Sequence, residues 1–149
     1  MGKFQKIMVF WFGIVCLFPY PLAAQTVYTT QVKVIHAAPG SAHIDPGIKP
    51  LVKEIESVFK YTDYRLIKTQ QMKLGKNQTG TIHLPGNRIL AVTPVDMADN
   101  RITYQIRIEK NQAPVFQTRV LLKNHNSITI GGPQYQKGVL LLNVQGDVR

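Results

Sequence analysis

Short turns divide the chain from Tyr61 to the C-terminus into segments in which apolar and polar residues alternate. In the clearest segment, residues 101–109, the side chains of Ile102, Tyr104 and Ile106 share one face of a strand. Parallel neighbours would need crossovers of a dozen or more residues, and these turns are too short to supply them. The pattern therefore predicts six or seven antiparallel strands in succession after Tyr61.

One helix is predicted before these strands, at about residues 49–60. Leu51, Val52 and Ile55 recur at the spacing of one helical face, and charged residues occupy the other faces. A first strand over residues 27–36 precedes the helix. Because the helix must bury its apolar stripe, we expect it to pack on one face of the sheet.

These elements predict an α+β domain with an N-terminal strand, one amphipathic helix and a six- or seven-stranded antiparallel meander. The meander is expected to form a curled sheet or a small sandwich. The helix stripe and the inward strand positions define the predicted core. We expect burial of Leu51, Val52, Ile55, Val58, Phe59, Ile102, Tyr104, Ile106, Val120, Leu122, Leu140 and Leu142.

The N-terminus has the pattern of a secretory signal peptide. Two lysines precede an apolar run over residues 7–18, and small residues lead to a cleavage site after Ala24. We therefore expect a signal peptide over residues 1–24 and a single domain over residues 25–149. An uncleaved anchor is the alternative. The apolar run is too short to cross ~30 Å of hydrocarbon, so no stable membrane span is expected after cleavage.

Cleavage would also remove Cys16, the only cysteine of the chain. The remaining domain would then have no disulfide, whereas small exported eukaryotic domains commonly depend on them. This composition fits the bacterial envelope better. The predicted location is therefore periplasmic or secreted, in a bacterium.

Catalytic and cofactor motifs are not recognisable in the sequence. No serine lies in a G-x-S-x-G context, and Gly131-Gly132 is not followed by the Lys-Ser/Thr of a phosphate-binding loop. Glu54 and Glu56 are two residues apart on the predicted helix, which turns them about 200° away from each other. The sequence therefore predicts no enzyme and no cofactor.

A metal site is one alternative, because His36, His43 and Asp45 precede the helix within one stretch of chain. Imidazole and carboxylate groups are metal ligands. The spacing matches no known metal motif, however, and further ligands would have to come from elsewhere. The competing interpretation is that Asp45 helps to start the helix and the histidines lie at the surface.

The formal net charge of the chain is +10, and two consecutive predicted strands, residues 101–109 and 114–123, carry cations at their outward positions. Pairing of these strands as a hairpin places the cations on one exposed face. We call this surface the basic face and define it by Arg101, Arg107, Arg119 and Lys123. Such a face attracts polyanions, or it simply solvates the sheet and suppresses aggregation. No aromatic residues that would stack on bases are interleaved with these cations, so nucleic acid is not an expected partner.

The first functional hypothesis is a non-catalytic exported module that binds another macromolecule of the envelope, most simply a protein, by strand addition at an exposed sheet edge. A second hypothesis is a receptor for lipopolysaccharide or an acidic glycan at the basic face. A third is a metal protein or enzyme that uses His36, His43 and Asp45.

Overall fold

The computed structural model describes residues 18–149, so most of the predicted signal peptide lies outside the described residues. The chain from residue 27 onward forms one α-helix, preceded by a 3₁₀ turn at Pro46–Ile48, and eight strands. The elements are β1 (Val27–Ala38), α1 (Lys49–Ile55), β2 (Asp63–Gly75), β3 (Gly80–Leu84), β4 (Arg88–Ala98), β5 (Arg101–Lys110), β6 (Ala113–Lys123), β7 (Ser127–Tyr135) and β8 (Gly138–Val148).

The strands form two four-stranded sheets, with the orders β2–β1–β8–β7 and β3–β4–β5–β6. All neighbouring strands are antiparallel, which confirms the predicted sheet type and the broad α+β class. Over residues 18–149 the strands number eight in all, β1 and seven after the helix, but the expectation of a single six- or seven-strand meander is wrong. β1 lies between β2 and β8, and the chain passes from one sheet to the other after β2 and after β6. β1 and β8 take the centre of their sheet because both carry apolar residues on two faces.

The larger hydrophobic cluster fills the space between the two sheets, which makes the fold a sandwich. Alternating residues of β5 point into this space, as its sequence pattern predicts. The buried side chains of the cluster include Val32 and Val34 of β1, Ile102, Tyr104 and Ile106 of β5, Leu122 of β6, and Leu140 and Leu142 of β8.

A second cluster lies on the other face of the first sheet, beneath α1. Val52 and Ile55 of the helix pack there with Ile35 of β1 and Leu141 of β8. The expectation that the helix covers one sheet face is therefore confirmed. Because Leu141 lies between two residues of the inter-sheet cluster, β8 is buried on both faces, and this accounts for its nearly continuous apolar run.

The helix is shorter than predicted, since it ends at Ile55 and gives way to turns. Val58 is 72% exposed, so its predicted burial is wrong, whereas Phe59 is half-buried. The Phe59 ring lies over Gly131 of β7, where a β-carbon would come within 3.3 Å of it. The chain leaves the helix so that Phe59 reaches this position, and Val58 turns to solvent. The other predicted core residues are buried, apart from the partly buried Leu51 and Val120.

A buried hydrogen bond joins the two sheets. The hydroxyl oxygens of Thr30 in β1 and Tyr104 in β5 lie 2.8 Å apart. Burial raises the pKa of Tyr104, so its hydroxyl stays neutral. Gly146 of β8 leaves room for the tyrosine, because a β-carbon there would come within 2.7 Å of the hydroxyl oxygen.

We expect Tyr104→Phe to lower the free energy of unfolding by about 1–3 kcal/mol, because the buried Thr30 hydroxyl then has no partner. The double variant Thr30→Val/Tyr104→Phe should lose less than the sum of the two single variants, since both polar groups are removed together. Urea unfolding of the four proteins measures this coupling. Strictly additive losses would show that the two hydroxyls do not depend on each other.

Candidate functional site

The register of β5 and β6 determines where the cations of the basic face lie. Arg101 is directly opposite Lys123, and Arg119 is opposite Gln105 on the same face. Arg107 occupies the same alternation on β5, with the buried residues between these positions pointing to the other face. All four cations of the basic face therefore lie on the outer face of the second sheet.

One of the four cations has an anionic neighbour. The Nε atom of Arg107 lies 2.8 Å from Oε1 of Glu109, although the N–H is not aligned for a hydrogen bond. Within residues 18–149, Arg101, Arg119 and Lys123 have no carboxylate within ion-pair distance. The basic face therefore keeps most of its positive charge.

The turn between β4 and β5 determines which backbone groups of β5 point toward β6. It contains two residues, Asp99 and Asn100, with φ angles of 51° and 59°, and it joins the paired residues Ala98 and Arg101. Residues that flank such a turn bond to each other across the hairpin, and bonding then alternates along the strand. The backbone of Arg101 is therefore directed at β4, and that of the next residue is directed at β6.

The same alternation extends to β6, which has no neighbour on its other side. Thr118 and Val120 are opposite even-numbered residues of β5, so their N–H and C=O groups bond within the sheet. The N–H and C=O groups of Gln117, Arg119 and Leu121 point to the free edge. We call these three residues the β6 edge. Their side chains lie on the basic face.

Apolar side chains remain exposed along β6. Leu121 is 58% exposed and Val115 is 55% exposed, and Phe116 is 36% exposed. An edge strand with free backbone groups and exposed apolar residues is a template for another strand. β6 can therefore bind an extended segment through its backbone and its side chains together.

The start of the free edge of β2, by contrast, is covered at Tyr64 and Leu66 by the loop that precedes α1. Tyr64 donates its N–H to His43 O at 2.8 Å, and Asp45 donates its N–H to Tyr64 O at 3.1 Å. The carboxylate of Asp45 also accepts the N–H of Leu66 at 2.7 Å. β3 has only five residues, and the register of β7 is broken between Gly131 and Gln134. The loop contacts leave residues 67–75 of β2 without this cover, and among residues 18–149 β6 is the longest edge strand that carries no such contact.

The three candidate metal ligands do not come together in one site. His43 Nε2 lies 2.8 Å from Asp45 Oδ1, but His36 Nε2 lies 3.2 Å from Tyr135 O, and the two rings of this second pair meet edge to face. No group of three or more histidine, cysteine, aspartate or glutamate residues in the described part of the chain is placed to hold a metal ion. The His43–Asp45 pair instead lies in the loop that covers the start of β2.

Comparison with protein-family models, curated proteins and solved structures gives no significant match to this chain. Within the part of the chain that the structure describes, no helix has the length and apolar character needed to cross a membrane. The site must therefore be interpreted from its own geometry.

Sequence reasoning located the basic face but did not identify β6 as the open edge. The strand order of a sheet depends on pairing between distant residues, which a local pattern does not contain. One local signal was available, because Leu121 occupies an outward position between the inward Val120 and Leu122. A large apolar residue at an outward position marks a surface that is exposed for a reason other than solubility.

The acid sensitivity of stability provides a test of the contacts that Asp45 makes between the loop before α1 and β2. The hydrogen bond from His43, together with the N–H of Leu66, lowers the pKa of Asp45 below its ordinary value of 3.8. The resulting stabilisation is present above pH 3.8 and is lost as the pH falls through the lower folded value. Asp45→Asn should therefore lose less stability than the original protein on acidification below this range.

Urea unfolding from neutral to strongly acidic pH measures the difference. Asp99→Asn is the matched control, because it removes one carboxylate from an exposed turn and leaves the contacts between the loop and β2 intact. An equal acid dependence for the original protein and Asp45→Asn would contradict the assignment.

Proposed function

We propose that the protein is a non-catalytic exported module that binds an extended segment of another envelope protein by strand addition at β6. The observation that carries the proposal is the β6 edge, where three consecutive outward positions direct backbone N–H and C=O groups at solvent. Export to the periplasm or beyond is proposed from the N-terminal sequence pattern alone.

The other edge strands are partly covered, short or irregular, and this supports the choice of β6 as the site. The start of the β2 edge is covered at Tyr64 and Leu66 by backbone and carboxylate bonds from the loop before α1. Proteins normally blunt their exposed edges to prevent unwanted pairing. The basic residues of β6 discourage indiscriminate pairing, but its exposed Leu121 and Val115 favour contact with apolar side chains.

Hydrogen exchange provides the first test, and it needs no partner. We expect the amides of Thr118 and Val120 to exchange slowly, because they bond to β5, and those of Gln117, Arg119 and Leu121 to exchange quickly. Residue-resolved NMR measures both groups. Uniform protection along β6 would mean that the edge is already covered, and it would contradict the proposal.

The partner is then captured with a photoreactive amino acid at Leu121, with the same group at the exposed Glu54 of α1 as the control. Adducts specific to Leu121 are digested to identify the cross-linked segment, which is synthesised as a peptide. This peptide should protect the amides of the β6 edge. It should bind Gln117→Pro, which lacks one edge donor, more weakly than Gln117→Ala.

The second candidate function is a receptor for polyanions at the basic face. It is favoured by the direct opposition of Arg101 and Lys123, since like charges opposite each other on neighbouring strands repel. A bound anion would relieve this repulsion. Lipopolysaccharide phosphates and acidic glycans have the required chemistry.

We test this candidate with heparin as the probe. If it is correct, binding weakens steeply with salt, because charges are screened beyond about 10 Å at ~0.1 M. The triple variant Arg101→Gln/Arg119→Gln/Lys123→Gln should lose most of the binding. Arg107→Gln is the control, since Glu109 already neutralises that cation. Binding that is insensitive to salt would eliminate the polyanion function.

A further inference from the structure

An apolar cleft opens beside the β6 edge, where the two sheets separate between β6 and β7. Val115 and Phe116 of β6 form one wall, and Pro133 of β7 contributes to the other. The cleft has a volume of about 270 Å³. A cleft of this size accommodates one large apolar side chain.

Two cations stand at this cleft. Arg88 of β4 donates from Nη1 to Gln134 O at 3.0 Å, which fixes its guanidinium beside β7 and leaves other N–H groups unused. Lys110 of β5 also lines the cleft, and within residues 18–149 neither residue has a carboxylate within ion-pair distance. The cleft therefore combines an apolar interior with a positive rim.

The position of the cleft relates it to strand addition. A strand that pairs antiparallel with β6 directs alternate side chains to the outer and inner faces. Its outer residues lie beside Arg119 and Leu121, and its inner residue opposite Phe116 lies at the cleft. One extended segment thus reaches the β6 edge, the basic face and the cleft together.

Charge complementarity identifies the chemistry of this segment. β6 contains no acidic residue, and Arg119, Lys123 and the preceding Lys110 are all cations. A second copy of β6 would bring like charges together, which is destabilising for cross-strand neighbours. An acidic segment would place its carboxylates opposite these cations instead.

We infer that the segment bound at β6 belongs to a different protein, that it is acidic on its outer face, and that it inserts one large apolar side chain into the cleft with a carboxylate next to it. The carboxylate pairs with Arg88 and Lys110, either from a side chain or from the C-terminus of the segment. This inference rests on the proposed strand addition, and it adds the partner's sequence pattern.

The experiment is a selection from a displayed library of random peptides on the purified protein. We expect the enriched peptides to alternate acidic and apolar residues and to share one large apolar position flanked by a carboxylate. Replacing that apolar residue by alanine should weaken binding about tenfold or more, since a fully buried side chain is lost. Peptides with free and amidated C-termini distinguish the two sources of the carboxylate.

Variants of the protein separate the cleft from the edge. Lys110→Gln and Phe116→Ala should each weaken binding about tenfold, because one removes a charge-assisted contact and the other removes a cleft wall. Lys53→Gln on the exposed face of α1 is the matched control and should bind normally. Protection of the β6-edge amides by the peptide reports strand addition independently of any variant.

The outcomes distinguish the two levels of the proposal. Peptides that protect the β6 edge but lack the acidic-apolar pattern, or that bind Lys110→Gln and Phe116→Ala normally, would overturn the inference and leave strand addition intact. Peptides that leave the β6 edge unprotected, or no enrichment at all, would overturn both. Concentration-dependent dimers that protect the β6 edge would overturn the inference and identify a second copy of the chain as the occupant. Dodecanoate that displaces the peptide from the cleft while the β6 edge stays unprotected would overturn it and identify an acyl chain as the occupant.

Discussion

The burial of β8 on both faces is the constraint on which the rest of the structure depends. Its inner residues Leu140 and Leu142 contact the opposite sheet, and Leu141 between them contacts the helix layer. A strand of this kind must occupy the interior of a sheet, because an edge position would expose one of its apolar faces. β1 shares the requirement, so the two strands lie side by side, and β2 and β7 become the edges of that sheet.

An open sandwich has four edge strands, and in this chain they differ in cover and in regularity of pairing. Backbone and carboxylate contacts from the loop before α1 cover the start of β2, and irregular pairing interrupts β7. β6 keeps a regular register from Phe116 to Lys123 beside exposed apolar groups. A free and regular edge of this kind is a template for pairing with another strand.

The sequence predicted the elements better than their arrangement. Alternation in β5 depends only on neighbouring residues, so its inward Ile106 and outward Arg107 were correctly assigned. The order of strands, by contrast, depends on which distant strand buries each face. The predicted end of the helix was wrong for a similar reason. Phe59 contacts Gly131, which is far from it in the chain, and a local pattern does not contain this contact. The basic face was predictable because alternation determines it, whereas the cleft was not, because it forms between two sheets.

The pairing of the first strand with the last has a consequence for how the molecule folds. Tyr28 is opposite Val148, so the centre of the first sheet is closed by residues that lie far apart in the chain. The second sheet needs only consecutive hairpins, and such local contacts form early and quickly. The first sheet must wait for β8, because loop closure over this separation is entropically costly and slow. A polypeptide of this topology therefore stays incompletely folded until β8 has been synthesised, and until then the central strand β1 lacks one of its two neighbours.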